Sequence, residues 1–86
     1  GPKAFPPDIA AHLMTHPDVM WARVTARRAP LMGALPAAAV VLRRPMDPDE
    51  AERALTAHCE AGLAEYAVPR VWEFHDRVPM RASLKS

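Results

Sequence analysis

The sequence predicts an α+β fold, a small three-stranded, mainly antiparallel sheet packed against helices. Three observations predict it. Val19 to Arg27 alternates with the two-residue period of a half-buried strand. Leu35 to Leu42 is an almost unbroken apolar run whose Val40-Val41 pair suits a strand buried on both faces. Asp47-Pro48-Asp49-Glu50 then opens an amphipathic helix, and Val71-Trp72-Glu73-Phe74-His75 returns to strand alternation. The predicted order is helix, strand, strand, helix, strand and a lysine-bearing tail.

Taken in order, Pro6-Pro7-Asp8 starts the first helix, because proline suits the first turn and an acid suits the positive helix end. Ile9, Leu13 and Met14 share its apolar face, Asp8, His12, Thr15 and His16 share the other, and Pro17 ends it near His16. In the first strand Met20, Ala22, Val24 and Ala26 point one way, and Trp21, Arg23, Thr25 and Arg27 the other. Ala29-Pro30-Leu31-Met32-Gly33 forms a turn. Pro36 belongs near the start of the second strand, since it cannot donate to a central ladder. In the second helix Asp47 caps, Pro48 takes the first helical position and Glu50 reaches back as in a capping box. Its core stripe runs through Ala51, Ala54, Leu55, His58, Cys59, Gly62, Leu63 and Tyr66, with Gly62 loosening the last turn and Val68-Pro69 breaking the helix. Trp72 and Phe74 then face the core, and Glu73 and His75 face solvent.

At 86 residues the chain reads as a single domain spanning 1–86. Its balanced charges sum to +1, so no global field recruits nucleic acid or an acidic membrane. Arg27-Arg28 and Arg43-Arg44 are left as local basic patches. The single cysteine, Cys59, has no internal disulfide partner, no apolar run approaches the ~18 residues of a membrane span, and the opening residues lack a signal-peptide pattern. The expected location is the cytoplasm.

Several side chains carry chemistry in principle. His12 and His16 are spaced i, i+4 like a zinc pair, but no glutamate follows His12 and no third ligand is evident, so a solvated face is favoured. His58-Cys59 are neighbours that point about 100° apart on a helix, so both read as core rather than as a nucleophile pair. Arg23, Arg27 and Arg28, or Arg43 and Arg44, are candidates for phosphate contacts or for a solvated strand edge. Tyr66 suits either the core or a contact with another domain.

Five segments, in order along the chain, carry a resemblance. Gly1-Pro2-Lys3-Ala4-Phe5-Pro6-Pro7-Asp8-Ile9 resembles Gly-x-x-Val-x-Pro-x-Glu-Ile/Val; His16-Pro17-Asp18-Val19 resembles His-Pro-x-Val. Gly33 with the apolar run to Leu42 resembles Gly-Glu-x-x-x-Ala-x-Val-Val. Leu63-Ala64-Glu65-Tyr66-Ala67-Val68-Pro69-Arg70 resembles Leu-Ala-x-Tyr-Lys-Val-Pro-Arg, with Ala67 for the lysine. Val78-Pro79-Met80-Arg81-Ala82-Ser83-Leu84-Lys85 resembles Leu-Pro-x-Thr-x-x-Gly-Lys, with Leu84 where glycine is usual. Together they resemble the C-terminal lid of the adenylate-forming ligases, nearest to the acyl-CoA synthetases.

The resemblance implies a two-step enzyme in which a carboxylate attacks ATP to give an acyl adenylate and pyrophosphate, and a thiol then displaces AMP. Lys85 is implied to meet the carboxylate and the α-phosphate in the first step. Gly1, Pro2 and Lys3 are implied to line the pantetheine tunnel after the lid has rotated. ATP, CoA and Mg²⁺ are implied cofactors, bound mainly by a large N-terminal domain absent from this chain. Carboxylic acid and CoA, or the pantetheine of a carrier protein, are implied partners. A non-catalytic interaction domain of the same fold is the reading from another class, and Leu84 is the residue that favours it.

Overall fold

Strand pairing is organised around the second strand of the chain. The structure, a computed structural model, describes residues 5–31 and 33–79. Its elements are α1 (Pro6–Leu13), β1 (Val19–Ala29), β2 (Gly33–Leu42), α2 (Pro48–Gly62), a 3₁₀ turn (Glu65–Ala67) and β3 (Val71–His75). Among the described residues the three strands form one sheet in the order β1-β2-β3. The β1–β2 hairpin is antiparallel, and β3 lies parallel to β2, so the sheet is mixed. The parallel pair follows from the connection, because α2 carries the chain from the end of β2 back to its start, as a parallel neighbour requires.

β2 is buried on both faces where it is flanked on both sides. Successive residues of a strand point to opposite faces, and Val40 and Val41 are 0% and 1% exposed. Pro36 sits where the sequence requires it. It pairs with Ala26, and its carbonyl accepts from the Arg70 amide at 3.0 Å, just before the β2–β3 register begins at Ala37↔Val71. Its nitrogen, which has no hydrogen to give, therefore lies outside the ladder.

The core gathers Ile9 and Leu13 from α1, Val19, Ala22 and Val24 from β1, Ala38 and Val40 from β2, and Leu55 and Cys59 from α2; Trp72 and Phe74 pack against it. Asp47 caps α2 as expected, its carboxylate accepting from the amides of Asp49 and Glu50 at 3.1 and 3.2 Å. Both bonds of this cap come from Asp47.

The structure corrects four of the sequence expectations. α1 ends at Leu13 rather than near His16, and Met14 is exposed instead of joining the apolar face. A register irregularity between Val19 and Trp21 breaks the alternation of β1, so Val19 is buried and Met20 is 49% exposed. Ala26 is also exposed, at an open groove it shares with Pro6 and Ile9. α2 stops at Gly62, where Leu63 takes extended backbone, and Tyr66 lies on the following 3₁₀ turn, 49% exposed rather than in the helical stripe.

Leu55 touches the core from the middle of α2 and is 1% exposed. Leu55→Ala should lower unfolding stability by about 2–5 kcal/mol, the range for a buried leucine that leaves a cavity. Urea denaturation followed by far-UV circular dichroism measures this as a lower midpoint at unchanged slope.

Candidate functional site

Lys85, Gly1, Pro2 and Lys3 lie outside the described residues, and the described residues determine where each of these segments leaves the domain. The segment 1–4 runs directly into α1. The first turn of α1 lies beside the start of β2, since Pro6 and Ile9 line one groove with Thr25, Ala26, Ala34, Leu35, Pro36 and Tyr66. The tail leaves from β3. There His75 pairs with Val41 near the end of β2, and the half-buried Val78 and Pro79 follow shortly after. From Ala37 to Val41 the strand advances by roughly 13 Å. The two segments therefore depart near opposite ends of the sheet and hang from different elements. Lys85 follows Pro79 by six residues, a tether of at most about 20 Å when extended.

Where the C-terminal ends of α1 and α2 meet, three histidines come together. The rings of His12 and His58 stack with centroids 4.5 Å apart and planes 21° apart, and His16 meets His58 edge-on at 5.0 Å. His12 Nε2 lies 3.0 Å from the His58 carbonyl, and His58 Nε2 lies 3.1 Å from the His12 carbonyl. A carbonyl only accepts, so both Nε2 atoms carry a hydrogen and donate it. Thr15 Oγ1 donates to the His12 carbonyl at 2.6 Å and lies 2.9 Å from His58 Nε2. The His12 carbonyl also accepts from the Thr15 amide at 3.1 Å, so the side-chain bonds add to a backbone turn that closes the end of α1.

The histidine pair makes a specific demand on α2. Gly62 lies one turn beyond His58, and a Cβ there would collide with the His12 ring. The glycine that reads in sequence as a loosened last turn is the place where a side chain of α1 enters. His12 and His16 are thus half-buried in a packed cluster rather than on a solvated face. Among the described residues no group of three or more His, Cys, Asp or Glu side chains is arranged to hold a metal ion.

The remaining candidates separate. Arg27 pairs with Glu73 across the sheet at 3.2 Å, and Arg44 forks onto both carboxylate oxygens of Asp18 at 3.2 Å. The hydrogen bond and charge of Asp18 raise the Arg44 pKa further above its ordinary value. Arg23, Arg28 and Arg43 are exposed. Arg27-Arg28 face the first residues of β2 while Arg43-Arg44 follow its last, so the two pairs form no common patch. Cys59 is fully buried beneath α2; desolvation, with the Glu60 carboxylate adding to it, pushes its thiol up to about 11. That keeps it protonated and unreactive at neutral pH.

Comparison with known proteins decides the family. Residues 8–85 match the AMP-binding enzyme C-terminal domain. The chain belongs to this family. It is similar to 2-succinylbenzoate–CoA ligase of Geobacillus kaustophilus, 41% identical over 85 residues, covering 99% of this chain and 17% of that protein. It is also similar to the acetyl-coenzyme A synthetase of Bacillus subtilis, 30% identical over 86 residues and covering 15% of that protein. Among solved structures, o-succinylbenzoate CoA synthetase of B. subtilis with its acyl-adenylate intermediate superposes with a TM-score of 0.77 at 32% identity, over 96% of this chain and 16% of that one. The amide bond synthetase of Marinactinospora thermotolerans does so with a TM-score of 0.77 at 33% identity, over 88% of this chain and 15% of that one. The chain spans about one sixth of the length of the relatives it matches.

Within this AMP-binding C-terminal domain, the family-like segments have physical work. His16-Pro17-Asp18-Val19 forms the corner between α1 and β1: His16 Nδ1 accepts from the Asp18 amide at 3.0 Å, and the Asp18 carbonyl accepts from the Arg43 amide at 2.7 Å. Ala67, Val68 and Pro69 are buried and deliver Arg70 to the edge of β2.

Gly62→Ala should destabilise the domain by about 1–3 kcal/mol through overpacking, and most of that loss should vanish in a His12→Ala background. A double-mutant cycle by denaturant unfolding reads the coupling. The Cys59 thiol stays protonated in the folded state to about pH 11, against an ordinary 9.0, so unfolding releases a proton between those values. Stability should fall as pH rises from about 9 to 11, and Cys59→Ala should lack that component of the slope in pH-dependent urea melts.

Proposed function

We propose that this domain is the C-terminal lid of an AMP-forming ligase that joins a carboxylic acid to coenzyme A, acting with a much larger N-terminal domain that binds ATP and the acid. In the first half-reaction a carboxylate oxygen attacks the α-phosphorus of ATP and pyrophosphate leaves. Lys85 brings an ammonium to the negative charge gathering on those oxygens, a role suited to a flexible, compact cation on a tethered tail. In the second, the thiol sulfur of CoA attacks the acyl carbon, AMP leaves, and the thiol gives up its proton. Gly1, Pro2 and Lys3 line the approach of the pantetheine arm, where glycine allows close backbone approach.

One observation carries the reading. The two segments assigned to the two half-reactions are attached near opposite ends of the sheet, the Lys85 tail of the first through β3 and the Gly1-Pro2-Lys3 segment of the second through α1. A lid built this way presents either segment to a common centre by turning as a body. CoA as acceptor is supported by sequence relatives named as CoA ligases. The similar amide bond synthetase and the carrier-protein ligases of the wider family are the alternatives for that step. The acid is selected by the N-terminal domain, which also holds most of the contacts to ATP and Mg²⁺. An unpaired, buried Cys59 suits a reducing compartment, and the enzyme is assigned to the cytoplasm. The exposed Tyr66, at the rim of the groove beside α1, is assigned as a contact with the N-terminal domain.

In the full-length parent enzyme Lys85→Ala should lower acid-dependent ATP–pyrophosphate exchange by about 10²–10³-fold, the usual cost of one preorganised charge contact. The same variant given premade acyl adenylate and CoA should still form thioester. Equal exchange in both proteins would refute the role of Lys85 and favour a domain that has kept the fold without the chemistry, as Leu84 in the glycine position of the motif would then explain.

A further inference from the structure

We infer that the interlocked pair His12 and His58, with Gly62 as its socket, is a positioning device for the thiol-transfer half-reaction and not for adenylation. The inference rests on the functional reading above. Ile9 and Leu13 hold α1 against the core by apolar contact, which favours burial but is indifferent to small slides along the helix axis. The reciprocal bonds between His12 and His58 are directional. Each ring donates to the other residue's backbone carbonyl, at 3.0 and 3.1 Å, so a slide of α1 breaks both at once. Thr15 Oγ1, 2.9 Å from His58 Nε2, adds a third tie to α2 at the same point, and a side chain at Gly62 would occupy the space the His12 ring fills.

The lever is short. α1 has eight residues, about 12 Å of helix, with the clasp in its last turn and the segment 1–4 joined to its first. Whatever fixes the axial position of α1 therefore fixes where that segment starts. A misplacement of about 1 Å at a reacting centre can cost on the order of 10²-fold in rate. Lys85 is not on this lever, because its tail continues from β3, which is held by pairing with β2. The clasp is therefore coupled to one half-reaction and insulated from the other.

The test uses the full-length ligase and an acid that supports exchange in the wild type, with ATP–pyrophosphate exchange and CoA thioester formation from premade adenylate measured separately at saturating CoA. His12→Ala should slow thioester formation about 10–100-fold while exchange stays within about twofold. His12→Gln, which keeps an N–H of similar reach, should recover most of the lost rate. If His12→Ala does not fold, Thr15→Val removes one tie at an exposed position and should give a smaller loss confined to thioester formation. A folded variant that loses both half-reactions in parallel, or neither, overturns the inference while leaving the functional reading intact. A wild type that makes adenylate but no CoA thioester overturns both.

Discussion

Val40 and Val41 point to opposite faces of one strand and neither reaches water, and the rest of the domain is arranged to satisfy that constraint. A strand buried on both faces must be flanked on both edges and covered. β1 supplies one edge through a hairpin, and β3 supplies the other only after α2 has carried the chain back to the start of β2. The helices close one face with Ile9, Leu13, Leu55 and Cys59. In a domain this small, which hides only about 60% of its extended-chain surface, few residues can be spared from that core. The conspicuous polar cluster accordingly lies at the margin, where the two helix ends meet.

That margin distinguishes two kinds of packing within one fold. Apolar burial determines which elements touch but tolerates small displacements, whereas the His12–His58 bonds tolerate almost none. The domain uses the tolerant kind for stability and the exacting kind beside the helix that continues the N-terminal segment. β3 needs no such clasp, since a ladder of backbone bonds to β2 already sets its position. The arginines follow the same economy: Arg44 on Asp18 braces the corner between α1 and β1, and Arg27 on Glu73 ties the two edge strands together across β2.

Elements whose signals are local are legible from the amino acids alone. The Asp47-Pro48 helix start, the apolar β2 run, the placement of Pro36 and the inward Trp72 and Phe74 all depend on dihedral preference, capping or alternation within a few residues, and each is found as read. The order of five family-like segments is equally legible, and the proposal for Lys85 rests on its place in the last of them. Features that depend on packing involve residues far apart in the chain. Whether β3 runs parallel to β2 depends on how α2 packs, and whether Met20 or Val19 turns inward depends on a bulge in the pairing with β2. His12 and His16 read as a solvated face because their partner, His58, is more than forty residues away. Gly62 read as a helix weakener for the same reason, since the ring that fills its missing side chain belongs to another helix. Periodicity reports which face of an element is buried; it carries no information about which distant residue arrives there to meet it.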